Sequence, residues 1–254
     1  MTIPAEAASI KLMELIRPYV GMLFFAPYDH LTPQTIRFNG TVTFVNTGNA
    51  KIVVTNAHVY RRFRELKVEE ASLRMFITRS VQDQLLELRE EYLIADGGRT
   101  VDLAVFSFPN PDQVDSIGKA YFAAAPWPAS RVPVGTPAVI LGFQGAHRQA
   151  DKTALRINLT VMCDKVSASS QRHLILVDEE CARTVVKINQ SLGDLGPLGG
   201  MSGSPVFTVD KDAYANLVGF LYETGEGAEA TVFAVHADLI TPEGKINYAL
   251  VTWQ

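Results

Sequence analysis

Three short segments carry residue types able to do nucleophilic chemistry. "GGMSGSPVF", Gly199 to Phe207, presents Ser202 and Ser204 among glycines. A serine hydroxyl is a poor nucleophile until a base takes its proton, and the oxyanion it generates needs fixed donors. The glycines around Ser202 admit backbone angles that other residues resist, and they can leave successive N–H groups pointing to one side, toward an anion. "VVTNAHV", Val53 to Val59, ends an apolar run on His58, a candidate base. "TVDLAVFSF", Thr100 to Phe108, sets Asp102 at the opening of an apolar strand. A carboxylate buried there requires a partner, and a histidine Nδ1–H is a suitable one. Each segment taken singly also has a structural reading: a Gly-Ser turn, a half-exposed histidine satisfied by the backbone, an aspartate serving a turn.

Taken together the three segments favour chemistry. They occur in the order His58, Asp102, Ser202, with gaps of 44 and 100 residues. That is the chain order of the chymotrypsin arrangement, and it differs from the subtilisin and α/β-hydrolase orders. An α/β-hydrolase esterase fits badly. Glycine would have to stand where Ser204 does, and the order Ser–Asp–His leaves only Asp210 or Asp212 followed by His236. The chain also lacks the crossover helices that parallel strands need.

The elements that must position these residues read as strands. Segments such as VGMLFFA, GTVTFVN, KIVVTNA, DLAVFSF, PAVILGF, RINLTVM, HLILVD, RTVVKI, SPVFTV, NLVGFLY and ATVFAV are short, rich in β-branched and aromatic residues, and separated by Gly, Pro, Asn and Asp. Their number and short connections predict an all-β barrel or sandwich. Residues 5–16 read as a short amphipathic helix stopped by Pro18. The proline-containing stretch 109–134 divides the strands into two groups. The expected organisation is an N-terminal helical segment 1–19, a first barrel 20–115 with His58 and Asp102, a linker 116–133, and a second barrel with a C-terminal segment 134–254, carrying Ser202.

Composition narrows the function classes. The 254 residues are 47% hydrophobic and 20% charged, which suits a globular protein with a sizeable core. A formal net charge of −4 argues against a nucleic-acid partner. The cluster Arg61, Arg62, Arg64 and Lys67 is broken by Glu65 and followed by Glu69 and Glu70, so it reads as a solvated mixed surface. The apolar run Val20 to Pro27 is too short to span a bilayer, and no secretory signal precedes it. With only Cys163 and Cys181 present, a reducing cytoplasmic setting with unpaired thiols is expected. Five scattered histidines give no metal-ligand spacing, and no cofactor is expected.

"TNAH", "DLAV" and "GMSGSPV" resemble the three signature segments of trypsin-like (chymotrypsin-fold) serine proteases, in particular the bacterial-type trypsin-like peptidase domain. "VPVGTPAVILGFQG" (132–145) is similar to the strand opening the second barrel in bacterial members. "NLVGFLYETG" (216–225) resembles the strand lining the primary specificity pocket, and "TVFAVHADLI" (231–240) the last strand and the start of a terminal helix. The resemblance implies two packed six-stranded antiparallel β-barrels with a short N-terminal and a short C-terminal helix. It implies His58 as general base, Asp102 as its orienting partner and Ser202 as nucleophile, with the N–H groups of Gly200 and Ser202 as the oxyanion hole. Ser204 then fills a slot usually held by glycine. Met201 stands where digestive members carry an aspartate that pairs with a newly cut N-terminus, so activation of that kind is not expected. The bacterial high-temperature-requirement proteases also lack that aspartate but usually carry a PDZ domain, for which this chain leaves no room.

The resemblance places Gly196 at the pocket base and Tyr222, Glu223, Thr224 and Thr231 at its walls, which implies a small or medium apolar preference, although Glu223 or Glu226 could attract a basic side chain. His236 reads as a surface residue at a helix start rather than part of the pocket. The expectation is a cytoplasmic serine endopeptidase acting on proteins or peptides in a regulated stress or defence pathway. Regulation would come from a protein partner, with the N-terminal helix and the charged 60–99 segment as candidate surfaces. The competing expectation is a catalytically silent, protease-fold protein-binding module.

Overall fold

The computed structural model describes residues 13–251 except 33, 79–83, 125, 129, 146–148, 151–154, 157–158, 178–198, 210–214 and 225–230. Within these the apolar runs form two sheets. The first half of the chain supplies β1 (Val20–Pro27), β2 (Phe38–Asn46), β3 (Lys51–Thr55), β4 (Leu73–Thr78), β5 (Leu86–Glu87), β6 (Leu93–Asp96), β7 (Ala104–Phe106) and β8 (Phe122–Ala123). They pair in the order β5-β4-β1-β2-β3-β7-β6, with β8 added parallel to β2. The second half supplies β9 (Pro137–Phe143), a small hairpin of β10 (Gln149–Ala150) and β11 (Leu155–Arg156), then β12 (Leu159–Ser169), β13 (His173–Val177), β14 (Pro205–Val209), β15 (Ala215–Thr224) and β16 (Val232–His236). Strands β12-β13-β16-β15-β14-β9 close into an antiparallel barrel. The all-β, chymotrypsin-like architecture is as expected. In detail it is one closed six-strand barrel and one sheet left open as a half-barrel between β5 and β6.

The strands look uniformly apolar because both of their faces are buried. In β1, Leu23 and Phe25 enter the core of the first sheet, while Met22, Phe24 and Ala26 face a second apolar cluster shared with the barrel. In β9, Ala138 and Ile140 enter the barrel core, while Val139, Leu141 and Phe143 join that same shared cluster. The period of two thus sorts each strand between its own core and a common interface, and the interface joins the sheets into one body.

Helices are few. Residues 13–16 form a helical turn that runs into a 3-10 turn at Arg17–Tyr19, and the rest of the expected 5–16 helix lies outside the described residues. The expected C-terminal helix is replaced by two 3-10 turns, Ala237–Leu239 and Tyr248–Leu250. Helix α1 (Ala57–Glu69) buries Ala57, Val59, Tyr60 and Phe63 against the first sheet, with the Phe63 ring 5.3 Å from that of Phe25. A single turn, α2 (Gln113–Ser116), follows β7. Among the described residues no helix is long and apolar enough to cross a membrane, and no cluster of His, Cys, Asp and Glu is placed to hold a metal ion.

Candidate active site

His58 owes its position to the junction of β3 and α1. The strand ends at Thr55, Asn56 stays extended as the helix N-cap, and His58 is the second helical residue. Its own N–H donates to Asp102 Oδ1 at 2.8 Å, and its Nδ1 lies 2.6 Å from Asp102 Oδ2. One carboxylate therefore holds the histidine twice, by main chain and by ring. It places the ring proton on Nδ1 and leaves the Nε2 lone pair facing outward. The partial positive charge of a helix N-terminus favours a carboxylate at this position. Asp102 precedes β7, which pairs with β3 through Thr55 and Ala104, so strand register sets the two residues side by side. The His58 side chain remains 37% exposed, open to an incoming group.

Ser202 comes from the other half of the molecule. Its Oγ lies 3.0 Å from His58 Nε2. It sits in a tight turn closed by the Ser204 N–H on the Met201 carbonyl at 2.9 Å. Two glycines with positive φ shape the approach, Gly200 at +94° and Gly203 at +91°. A Cβ on Gly203 would meet the Thr41 carbonyl at 2.1 Å, and one on Gly200 would meet Asn39 Nδ2 at 2.2 Å. Only glycine fits at either position.

The loop is held from both sheets. Thr41 N–H donates to the Ser202 carbonyl at 2.9 Å. Thr41 Oγ1 donates to the Gly200 carbonyl at 3.0 Å and accepts the Phe143 N–H at 3.1 Å. Thr43 Oγ1 donates to the Gly203 carbonyl at 2.9 Å, and Thr55 Oγ1 donates back to Thr41 O at 2.9 Å. The barrel half adds the Gly203 N–H on the Leu221 carbonyl at 2.9 Å, the Leu221 N–H on the Ser204 carbonyl at 2.8 Å and the Gly145 N–H on the Gly199 carbonyl at 2.6 Å. With its carbonyls occupied, the loop leaves the N–H groups of Gly200 and Ser202 without an acceptor among the described residues. A serine, a histidine and an aspartate in one hydrogen-bonded chain, beside two free main-chain donors, are the parts needed for acyl transfer.

A family model for the trypsin-like peptidase domain matches residues 40–219. The chain belongs to that family. No curated protein sequence matches it. Three solved structures are similar across most of their length. The M. tuberculosis protein Rv3671c, an inactive serine-to-alanine mutant, is 14% identical with a TM-score of 0.51, the match covering 93% of this chain and 91% of that one. The thermostable serine protease AL20 from an extremophilic microorganism is 15% identical at 0.50, covering 93% and 99%. Protease Anisep from Arthrobacter nicotinovorans is 13% identical at 0.50, covering 87% and 90%. At such identities the likeness speaks for the fold.

Within this peptidase domain Met201 turns inward. It is fully buried in the barrel core with Ile140, Val206 and Leu221. Ser204 is also fully buried, and its Oγ has no hydrogen-bond partner among the described residues. Of the residues assigned to the specificity pocket, Gly196 and the side chain of Thr224 lie outside the described residues. Tyr222 is half-buried, its ring 5.2 Å from that of His173 and 6.2 Å from that of Phe233. Burial, then the charges of Glu223 and Asp102, push its phenol above the usual value. Glu223 is exposed and Thr231 half-buried.

The surface reading of His236 is corrected. It ends β16 only 2% exposed, with Nε2 3.0 Å from the Ser170 carbonyl. Burial, then Arg131, holds its imidazole below the usual histidine value. Sequence reasoning also missed Thr41, Thr43 and Thr55. The available signal was two threonines alternating with apolar residues in GTVTF, which marks a polar strip on one strand face. His173, beside Tyr222, carried no signal of its own.

Proposed function

We propose that the protein is a serine endopeptidase that hydrolyses peptide bonds in protein or peptide substrates through Ser202, His58 and Asp102. The observation that carries this reading is the chain of hydrogen bonds from Asp102 through His58 to Ser202, 2.6 and 3.0 Å, built across two sheets. Ser202 Oγ attacks the scissile carbonyl while His58 Nε2 accepts its proton. Asp102 stabilises the imidazolium that results. The N–H groups of Gly200 and Ser202 receive the developing oxyanion. His58 returns the proton to the leaving amine, and a water molecule, activated by the same imidazole, releases the acyl group.

Met201, buried where an ion-pairing residue would be needed, supports a site that is not switched on by a new N-terminus. Regulation by a protein partner in an intracellular stress or defence pathway is part of the proposal, as is a pocket that takes a small or medium apolar side chain. Cleavage of a random peptide library tests it. The wild type should cut at a consistent side-chain preference, and Ser202→Ala should lose about 10⁶ in turnover while remaining folded. Equal cleavage by Ser202→Ala would overturn the assignment, and no cleavage by either protein would favour the silent binding module.

A further inference from the structure

The N-cap of the helix that carries His58 is put to a different use from an ordinary cap. An asparagine at this position normally accepts the N–H of the second or third helical residue through its side-chain oxygen. Asn56 makes no such bond. The N–H of the second residue, His58, goes to Asp102 Oδ1 instead. Asn56 turns its amide the other way, so that Nδ2–H donates to the main-chain carbonyl of Asp102 at 2.7 Å. Its Oδ1 is left buried with no partner among the described residues, in a residue that is 0% exposed. An unpaired buried acceptor is unfavourable, and the reversed amide would set oxygen against the Asp102 carbonyl. The orientation is therefore fixed by the donor the carbonyl needs. Among the described residues no other donor reaches that carbonyl. The β3–β7 ladder begins at Ala104, and no main-chain N–H among the described residues donates to Asp102 O.

Two residues thus interlock: the Asn56 side chain holds the Asp102 main chain, and the Asp102 side chain holds the His58 main chain and ring. We propose that Asn56 is a positioning residue for the Asp102–His58 pair, an inference that rests on the triad reading above. By fixing the peptide from which the carboxylate projects, it keeps both carboxylate oxygens on His58. The sequence Thr-Asn-Ala-His is then a functional unit of which His58 is only the reacting member.

The test is the second-order rate of labelling by a fluorophosphonate probe across pH, read per folded molecule by circular dichroism. Asn56→Ala deletes the donor, and the near-isosteric Asn56→Asp sets an acceptor against the carbonyl and competes for the His58 N–H. Displacing a reacting group by about 1 Å costs up to about 100-fold. The expected losses are about 10-fold for Asn56→Ala and about 100-fold for Asn56→Asp, with the labelling midpoint of Asn56→Ala moved to lower pH. A merely structural role would lower thermal stability and leave the rate and midpoint of the folded fraction at wild-type values, and that result overturns the proposal.

A second measurement needs no variant at this position. In the wild type and in Ser202→Ala the Asn56 side-chain amide protons should exchange slowly with solvent, and rapid exchange overturns the proposal. A wild type that is never labelled would instead overturn the triad reading, while the exchange measurement still reports on Asn56.

Discussion

The His58–Asp102 corner and the Ser202 loop are built by opposite means. The corner is self-contained. A strand, a helix N-terminus and the approach to β7, all from the first sheet, supply each of its hydrogen bonds. The loop is bonded to Leu221 and Gly145 of the barrel half and equally to the first sheet, where Thr41 and Thr43 bond the carbonyls of Gly200, Ser202 and Gly203. The proposed base is positioned within its own sheet and the proposed nucleophile by both sheets at once. Damage to the interface should therefore strike the nucleophile and the oxyanion donors first and leave the base in place.

Among the variants that compare the supports of the two regions, the largest effect is expected at the corner. Asp102→Asn keeps the shape but no longer fixes the histidine tautomer, so turnover should fall by about 10⁴ with little change in thermal stability. A loss no greater than that of an interface variant would remove the contrast between the two regions.

Thr41→Val comes next, because it keeps the shape and deletes the hydroxyl bridging Gly200 and Phe143. Each of the two orphaned groups should cost about 1–3 kcal/mol in urea unfolding. Disturbing an oxyanion donor should lower kcat by about 100-fold, with KM little changed. Stability lost without kcat would mean that the threonine serves the fold alone.

Ser204→Ala should have a much smaller effect. Its hydroxyl is buried and unpartnered among the described residues, so removing it should shift stability by less than about 1 kcal/mol, in the stabilising direction, and leave turnover near wild type. A collapse of activity there would reverse the assignment of the two serines.

The smallest effect separates the sheets by pH. His173 and His236, both on the barrel, are held below the usual value chiefly by burial. A group with a lowered folded-state value contributes stability that is present above the unfolded value of 6.5 and is lost as pH falls through the folded value, since the unfolded chain then binds more protons. Thermal stability should decline as pH drops below 6.5, and His236→Gln should flatten that decline. A variant that declines as steeply as the wild type would place the sensitivity elsewhere.

What was legible in the sequence follows the range of the interactions. Strands announced themselves through local composition, and the three motifs through glycine, histidine and aspartate at the ends of apolar runs. Helix α1 was hidden because its basic and acidic residues read as a charged surface segment, although Val59, Tyr60 and Phe63 recur at helical spacing. The threonine supports were hidden because their partners lie 159 and 160 residues away. His236 was misread because a strand's last residue next to a turn looks exposed until the neighbouring β13 edge is placed over it. The open edge of the first sheet lies at β5 and β6, strands of two and four residues, too short for composition to register.

The central claim is that Ser202 is a nucleophile activated by His58. Treatment of the folded protein with a fluorophosphonate probe, followed by peptide mapping in a mass spectrometer, tests it most directly. The expected result is a single adduct on Ser202, abolished by unfolding and strongly reduced in His58→Ala. An adduct on Ser204, or labelling of Ser202 that persists at full rate without His58, would contradict it.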